Sequence, residues 1–292
     1  MCWTDAFGDH VLVEYWLSNP EGLLVVPETR VAECAVLVLS GSSGRVEVDR
    51  VRLLADRGAA ALSIRWFGDA GQPPGICEVP METFVPALDR LASLSDHLAV
   101  LGVSKGAEAA LLLACRDARI QAVGALSPSS VVWANVGPGA DGAHQPYRSS
   151  WTEDGVPVPF VPYDDTWALS SVGGQPVYRG LYEQSLRAFP ARVREATIPV
   201  ERIAGRVLLA AGGNDLVWPS DWFATQVRAR RTAHGLSTEV ITSTPAGHRV
   251  PLPGEPASPA GGGWMARGGT TEADAALGVR VWPALLALLN LS

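Results

Sequence analysis

Short, wholly apolar runs alternate with amphipathic stretches along most of this chain. The apolar runs predict strands at AVLVLS (35–40), AAALSIRWF (59–67), 98–103, IQAVGAL (120–126), RVLLAAG (206–212) and STEVITS (237–243). Helical spacing predicts helices over 46–57, near 80–94, over 105–116 and 220–233, and near 272–290. Apolar strands that alternate with helices indicate a mainly parallel sheet covered on both faces, which is an α/β fold.

Two regions depart from this alternation. At the N-terminus, VLVEYW (11–16) and GLLVVP (22–27) flank the turn SNPE, which predicts a short antiparallel pair within residues 1–30. Between about 128 and 198 the chain is rich in Gly, Pro, Trp, Tyr and Asp. The aromatic content of so long an insert favours an active-site lid over a disordered segment. With no repeat and no linker, a single domain over 1–292 is expected.

Composition narrows the class of protein. The chain has 292 residues, 47% of them hydrophobic, and a net charge of −7, which argues against disorder and against a nucleic-acid partner. Its longest apolar run is too short to cross a membrane, and its start lacks a signal-peptide pattern. Four scattered cysteines show no metal-like spacing, so a cytoplasmic protein without a metal or redox cofactor is expected.

The segment LAVLGVSKGAEAALLLA (98–114) contains the strongest catalytic motif. Its pentapeptide G-x-S-x-G runs from Gly102 to Gly106, between a predicted strand and a predicted helix. In this setting the serine lies on a strained strand-to-helix turn, and the glycines leave room where a Cβ would collide with neighbouring backbone. Ser104 is therefore the predicted nucleophile, and the amide of Lys105 is a predicted oxyanion donor. The alternative for Ser104 is a plain helix cap.

A serine nucleophile needs a base and an acid, which follow it along the chain in this kind of fold. His248 lies in a loop after the last predicted strand, and Asp215 follows the strand 206–212. These two are the predicted base and acid. The competing groups lie in the wrong order, at a helix end or within the insert: His10, His97, His144, His234, Asp164, Asp165 and Asp221.

The remaining site residues rest on weaker signals. The loop GSSG (41–44) follows a predicted strand and is small enough for backbone amides to approach a substrate, so the N–H groups of Ser42 and Ser43 are candidate oxyanion donors. An ordinary turn is the alternative. Aromatic residues at strand ends or in the insert are expected to line an acyl pocket, with core packing equally expected: Trp66, Phe67 and Trp133.

Four stretches together resemble one known family. GVSKGAE, IPVERIAGRVLLAAGGNDLVW, ALSPSSVVWANVG and AGHRVPLPGEP are similar to the acyl-coenzyme A thioesterase and bile-acid-CoA:amino acid N-acyltransferase family, over roughly residues 30 to 290. The lysine directly after the serine strengthens the match. The resemblance implies an α/β-hydrolase fold of the dienelactone-hydrolase type, with nucleophile, acid and base on Ser104, Asp215 and His248.

The resemblance also implies a function. In this family thioesterases typically use serine and amino-acid-conjugating transferases cysteine, so Ser104 favours hydrolysis of an acyl thioester of coenzyme A or of pantetheine on an acyl carrier protein. The chain departs from the family pattern at two places. The loop GSSG replaces a more glycine-rich run, and the N-terminal part before the central sheet is short. Only about thirty residues precede the first central strand, so the family's usual N-terminal β-sandwich domain is expected to be absent.

Other functions remain open from the sequence. In one alternative the acyl group passes to an amine or hydroxyl, which would make the chain an acyltransferase or cyclase. An ester or lactone hydrolase of the dienelactone-hydrolase type is a further alternative. A non-catalytic binding protein on the same scaffold is the most remote, because it would not need a serine, an acid and a histidine in this order.

Overall fold

The core of the molecule is an eight-stranded sheet with the strand order β1-β2-β4-β3-β6-β7-β12-β13. The computed structural model describes residues 11–28, 34–137, 139, 141, 143, 145–256 and 264–291. Within these residues the sheet strands are β1 (Leu12–Ser18), β2 (Glu21–Pro27), β3 (Cys34–Leu39), β4 (Ala59–Ile64), β6 (Leu98–Val103), β7 (Ile120–Leu126), β12 (Arg206–Gly212) and β13 (Glu239–Ser243). The short strands outside this sheet are β5 (Val79–Pro80), β8 (Trp151–Glu153), β9 (Val156–Pro157), β10 (Ser170–Val172) and β11 (Gln175–Val177).

Helices cover both faces of the sheet. They are α1 (Val48–Ala55), α2 (Val85–Ala92), α3 (Lys105–Ala114), α4 (Arg179–Ala188), α5 (Pro190–Ala196), α6 (Ser220–Ala233) and α7 (Thr271–Leu288), with 3₁₀ turns at Met81–Phe84 and Val200–Arg202. Side chains of β3 alternate between two apolar clusters: Leu37 and Leu39 face α2, α3 and α6, and Val36 and Val38 face α1 and α7. This two-sided burial explains why the central strands are apolar at every position.

The sheet is parallel from β4 to β13, and β1 and β2 add an antiparallel edge. In the register of the sheet, Leu39 lies opposite Gly102 and Val103 lies opposite Leu126. The carboxyl ends of these parallel strands therefore meet at one edge, where ligand sites of open α/β sheets are found.

The predicted α/β class is confirmed, and the predicted ranges of β6, β7, β12 and α6 match the observed ones residue for residue. The N-terminal antiparallel pair is present as β1 and β2. The insert is more regular than the sequence indicated, since 128–198 contains β8 to β11 and the helices α4 and α5. Both helices are short, α5 is mostly exposed, and only Tyr182 and Ser185 of α4 are buried, so neither shows a long apolar stripe in the sequence.

No helix among the described residues is long and apolar enough to cross a membrane.

Candidate active site

Ser104 lies at a sharp bend between β6 and α3. Its φ of 56° and ψ of −120° are sparsely populated for a residue with a side chain, so the surrounding structure must hold this strained conformation. The Ser104 N–H donates to Leu126 O on β7 over 2.9 Å, which fixes the bend against the neighbouring strand. A Cβ on Gly102 would overlap the carbonyl oxygen of Gly106, and one on Gly106 would overlap that of Ser40. Both glycines are thus required by close backbone approach, as predicted from the pentapeptide.

Asp215 and His248 form a buried hydrogen-bonded pair beyond the ends of β12 and β13. His248 Nδ1 lies 2.8 Å from Asp215 Oδ2, and the two side chains are 3% and 0% exposed. The carboxylate is an acceptor only, so His248 Nδ1–H is the donor and Nε2 keeps its lone pair. In this tautomer Nε2 is the nitrogen that can accept a proton.

Three further groups orient the Asp215 carboxylate. Oδ1 accepts the backbone N–H groups of Val217 and Trp218 at 2.8 and 3.2 Å. Oδ2 accepts the Ser220 hydroxyl at 2.6 Å in addition to the imidazole. Together with the bond to the imidazole, these bonds fix the orientation of the carboxylate.

The backbone between β7 and the insert connects the histidine to the serine. Ser127 follows Leu126, which accepts the Ser104 N–H, and the Ser127 hydroxyl donates to His248 O at 2.8 Å. The indole of Trp218 packs edge-on against the imidazole, with ring centroids 5.8 Å apart. Ser104, Asp215 and His248 are thus brought to one edge of the sheet, although Ser104 Oγ makes no hydrogen bond with any described residue.

The loop 41–44 lies directly above Ser104. A Cβ built on Gly41 would fall 3.1 Å from Ser104 Cβ and 3.7 Å from its Oγ. The loop turns back through a bond from Gly44 N–H to Gly41 O, and the Phe67 ring packs against Gly44. Ser42 is half-buried and Ser43 exposed.

Lys105 N–H is the first amide of helix α3 and has no acceptor among the described residues. This is the usual state of an amide at a helix N-terminus, where no preceding turn supplies a carbonyl. Lys105 N–H and the amides of Ser42 and Ser43 therefore remain the candidate oxyanion donors, a role that stays a prediction.

The Lys105 side chain, unlike its backbone N–H, extends into the core. Its Nζ lies 2.8 and 2.9 Å from the two carboxylate oxygens of Glu108, and the residues are 2% and 0% exposed. Glu108 also accepts the Trp151 indole N–H at 2.7 Å and the Trp133 backbone N–H at 3.3 Å. Burial lowers the pKa of Lys105 and raises that of Glu108, and the attraction between them opposes both shifts. This cluster ties the insert to the helix that begins beside Ser104.

The sequence analysis did not identify Glu108, Ser127 or Ser220. Glu108 has one signal, a carboxylate three residues after the only lysine on an otherwise apolar helix. Ser127 and Ser220 have none, because their roles depend on strands and loops that meet only in the folded chain.

The aromatic residues expected to line an acyl pocket differ in their surroundings. Trp66 and Trp133 are fully buried, Trp66 against Phe84 and Trp151, and Trp133 against other aromatic rings of the insert. These contacts favour core packing for both indoles. Phe67 is half-buried beside the loop 41–44, so of the three it lies nearest to Ser104 by its described contacts.

The competing histidines and acids lie elsewhere. His97 contacts Gln121 and Leu288 O, and His234 Nδ1 lies 2.9 Å from Arg230 O at the end of α6. The acids Asp164, Asp165 and Asp221 bond to Gln184, Tyr147 and Arg179 respectively. His10 and His144 lie outside the described residues. In the part of the chain that the structure describes, no three His, Cys, Asp or Glu side chains converge as metal ligands would.

Comparison with known proteins supports the α/β fold described above. Residues 81–291 match the family model described as "BAAT / Acyl-CoA thioester hydrolase C terminal". Over 98% of this chain and 100% of the other, the fold is similar to that of a dienelactone hydrolase-like promiscuous phosphotriesterase from metagenomic libraries, with a TM-score of 0.57 and 17% identity. The fold is therefore that of the dienelactone-hydrolase-like α/β-hydrolases.

Two curated relatives carry activities in their names. Acyl-coenzyme A amino acid N-acyltransferase 2 of Rattus norvegicus is 26% identical over 84% of this chain and 58% of its own length. Mitochondrial acyl-coenzyme A thioesterase 2 of Mus musculus is 27% identical over 86% of this chain and 53% of its own length. The chain thus spans little more than half the length of these relatives.

Proposed function

The chain belongs to the BAAT / Acyl-CoA thioester hydrolase C-terminal family, and we propose that it is a serine hydrolase that cleaves acyl thioesters through an acyl-serine intermediate. The observation that carries the proposal is the strained Ser104 at the strand-to-helix bend, on the same sheet edge as a buried Asp215–His248 pair. The names of the curated relatives support acyl-CoA as the substrate class.

The first half of the reaction acylates the serine. His248 Nε2 takes the Ser104 hydroxyl proton as Oγ attacks the thioester carbonyl carbon. Asp215 holds the imidazole by Nδ1 and stabilises its protonated form. The tetrahedral intermediate then collapses, the C–S bond breaks, and His248 Nε2 gives its proton to the leaving sulfur, so that the thiol departs and the imidazole is again free to act as a base.

The second half releases the product. Water gives a proton to His248 Nε2 and attacks the acyl-serine carbonyl, and the proton returns to Ser104 Oγ as the free acid leaves. In both halves the negative oxygen accepts hydrogen bonds from Lys105 N–H and from the N–H of Ser42 or Ser43. Each such donor is typically worth about 3 kcal/mol in the transition state.

The loop 41–44 gives a specific prediction for this oxyanion site. Gly41→Ala places a methyl group 3.1 Å from Ser104 Cβ, in the space between the loop and the nucleophile. We expect kcat to fall by about 100-fold, because small displacements of reacting groups are costly, while the melting temperature changes little. Steady-state kinetics and thermal melting measure both quantities.

Gly235→Ala is the matched control for Gly41→Ala. It has open space around its Cβ but a φ of +74°, so it strains the backbone after α6 far from the site. It is expected to lower stability and leave kcat unchanged. Equal losses of kcat in the two variants would contradict an oxyanion role for the loop 41–44.

The experiment that tests the proposal is intact mass spectrometry after mixing the protein with a panel of acyl-CoAs. We expect an acyl adduct and release of free thiol, with the adduct longer-lived in His248→Ala and absent in Ser104→Ala. Ser93→Ala, an exposed hydroxyl at the end of α2, is the control and should behave as the parent. Thiol release without dependence on Ser104 would overturn the mechanism.

A second function is favoured by the relatives that are named N-acyltransferases, in which an amine takes the place of water. Amino acids added to the same reaction distinguish the two outcomes, because a transferase forms an amide product and a hydrolase the free acid. If no acyl-CoA reacts but a fluorophosphonate still labels Ser104, ester and lactone substrates become the better proposal. If neither reacts, the chain is a binding protein on this scaffold.

A further inference from the structure

A cavity of about 400 Å³ lies next to the Asp215–His248 pair and is lined by residues that flank the pair in the sequence. Its walls come from the residues flanking the pair, from the hairpin β10–β11 and from the segment leading into α7. Asn214 precedes the proposed acid and Arg249 follows the proposed base. This volume is within the range of small-ligand sites.

The far wall of the cavity is bonded directly to the catalytic loops. Arg267 O accepts the His248 N–H at 2.8 Å and the Leu216 N–H at 3.3 Å, and Asp215 is bridged to Gly268. A group bound in the cavity would therefore lie against the same backbone that holds the imidazole.

Two arginines, Arg249 and Arg267, line this cavity. Arg249 and Arg267 are half-buried, and neither side chain makes a hydrogen bond or ion pair with a described residue. Arg267 Nε is buried and has no partner. Burial lowers the pKa of Arg267 first, and repulsion from Arg249 and Arg45 lowers it further, which indicates that the three positive charges lie near one another.

Two other arginines that are at least partly withdrawn from solvent are paired with carboxylates. Arg50 forms a two-pronged pair with Glu255, and Arg230 pairs in the same way with Glu201. Arg249 and Arg267 differ from these two, because neither forms an ion pair with a described residue although both line one cavity. Such a concentration of like charge is costly unless an anion occupies it.

The acidic residue in the cavity does not fill this need. Asp274 lines the wall, but its Oδ1 already accepts the Gly247 N–H at 2.7 Å, and it forms no ion pair with either arginine. At the start of α7, Thr270 caps the helix by accepting the Ala273 N–H. The two arginines therefore remain the anion-binding groups of the cavity.

We infer that this cavity binds the phosphate of a phosphopantetheine thiol, with Arg249 and Arg267 as its ligands. Guanidinium groups bind phosphate oxygens through paired N–H donors, and two of them match the two negative charges of the coenzyme A diphosphate or the two free oxygens of a single phosphodiester. The apolar part of the lining, with Val172, Leu216 and Met265, suits the uncharged arm next to the phosphate. The inference rests on the proposed function, since it assigns the leaving-group side of the thioester to this cavity.

Free coenzyme A tests the inference without turnover, because it has the phosphates and no acyl group. Calorimetry compares the parent with Arg249→Gln, Arg267→Gln and the control Arg194→Gln, which removes one exposed charge from α5. We expect each cavity variant to weaken binding about tenfold or more and the control to have no effect. Thermal melting identifies variants that fail to fold. Arg267→Lys keeps the positive charge but loses the paired N–H donors of the guanidinium group, so its affinity for coenzyme A should lie between those of the parent and Arg267→Gln.

Kinetics separate this inference from the proposed function. With an acyl-CoA, the cavity variants should raise KM and keep kcat; with the N-acetylcysteamine thioester of the same acid, which has no phosphate, they should change neither. A KM for acyl-CoA that is equal in parent and variants would overturn the inference and leave the serine mechanism intact. Arginine-dependent binding of coenzyme A without any turnover would support the cavity and reject the thioesterase.

Two further probes identify the source of the phosphate. A phosphopantetheine-loaded carrier protein whose binding depends on the arginines, where coenzyme A binding does not, would assign the cavity to carrier-bound substrates. Inorganic phosphate should compete with coenzyme A in the parent. Failure of all three probes to respond to Arg249→Gln and Arg267→Gln would refute the inference.

Discussion

Asp215→Asn is expected to lower kcat by about 10⁴-fold while the protein stays folded. The carboxylate Oδ1 accepts two backbone N–H groups, from Val217 and Trp218, so an asparagine must keep its carbonyl oxygen there. Its NH₂ then faces His248 Nδ1 and forces that nitrogen to accept. The imidazole is left with its proton on Nε2, where it can no longer take the proton of Ser104.

The rate of labelling by a fluorophosphonate checks this result alongside kcat, and it does so without knowledge of the acyl substrate. Asp221→Asn is the matched control, since it changes a neighbouring half-buried acid that bonds only to Arg179 in the described residues. A variant Asp215→Asn that labels at the parent's rate would show that Asp215 does not orient the base.

Glu108→Leu is expected to lower the free energy of unfolding by about 3–5 kcal/mol. The substitution leaves the Lys105 ammonium buried without its partner and leaves the N–H groups of Trp133 and Trp151 unpaired. Lys105→Met should cost less, because burial already raises the pKa of Glu108, which can be protonated once the lysine is gone.

The double variant Lys105→Met/Glu108→Leu makes this prediction specific. It removes both charges and should recover part of the loss seen in Glu108→Leu, although the two N–H groups stay unpaired. Denaturant unfolding measures all three variants. Glu195→Leu is the control, because Arg192 and Glu195 form an exposed pair with the same three-residue spacing and should be worth less than 1 kcal/mol. Equal losses in Glu108→Leu and Glu195→Leu would contradict a structural role for the buried pair.

The sequence was sufficient for the parts of the fold in which local pattern and tertiary burial agree. The strand that ends at Val103 and the helix that begins at Lys105 were predicted to the residue at those ends, because apolar residues stop and start there and glycines mark the bend. Asp215 and His248 could be chosen from chain order and from their positions after strands. Their hydrogen bond agrees with that choice.

The remaining features depend on residues far apart in the chain. A wholly buried helix such as α3 gives no sign of which polar side chain has a partner, so Glu108 could not be distinguished from a surface acid. Arg249 and Arg267 belong to separate loops and share a cavity only after folding. An aromatic residue at a strand end, such as Trp66, fits a pocket wall and a core equally well until its neighbours are known.

The contacts of Glu108 also divide the insert into parts that differ in their freedom to move. Trp133 and Trp151 are hydrogen-bonded to a helix of the central core, so this part of the insert can open only together with that core. The hairpin β10–β11 is held instead to the loop before α7, where Pro176 O accepts the Ala266 N–H at 2.9 Å, and its strand β10 is exposed at every residue. Substrate exchange is therefore expected to depend on local opening of the hairpin, at a cost far below that of global unfolding, and the nucleophile keeps its strained geometry throughout.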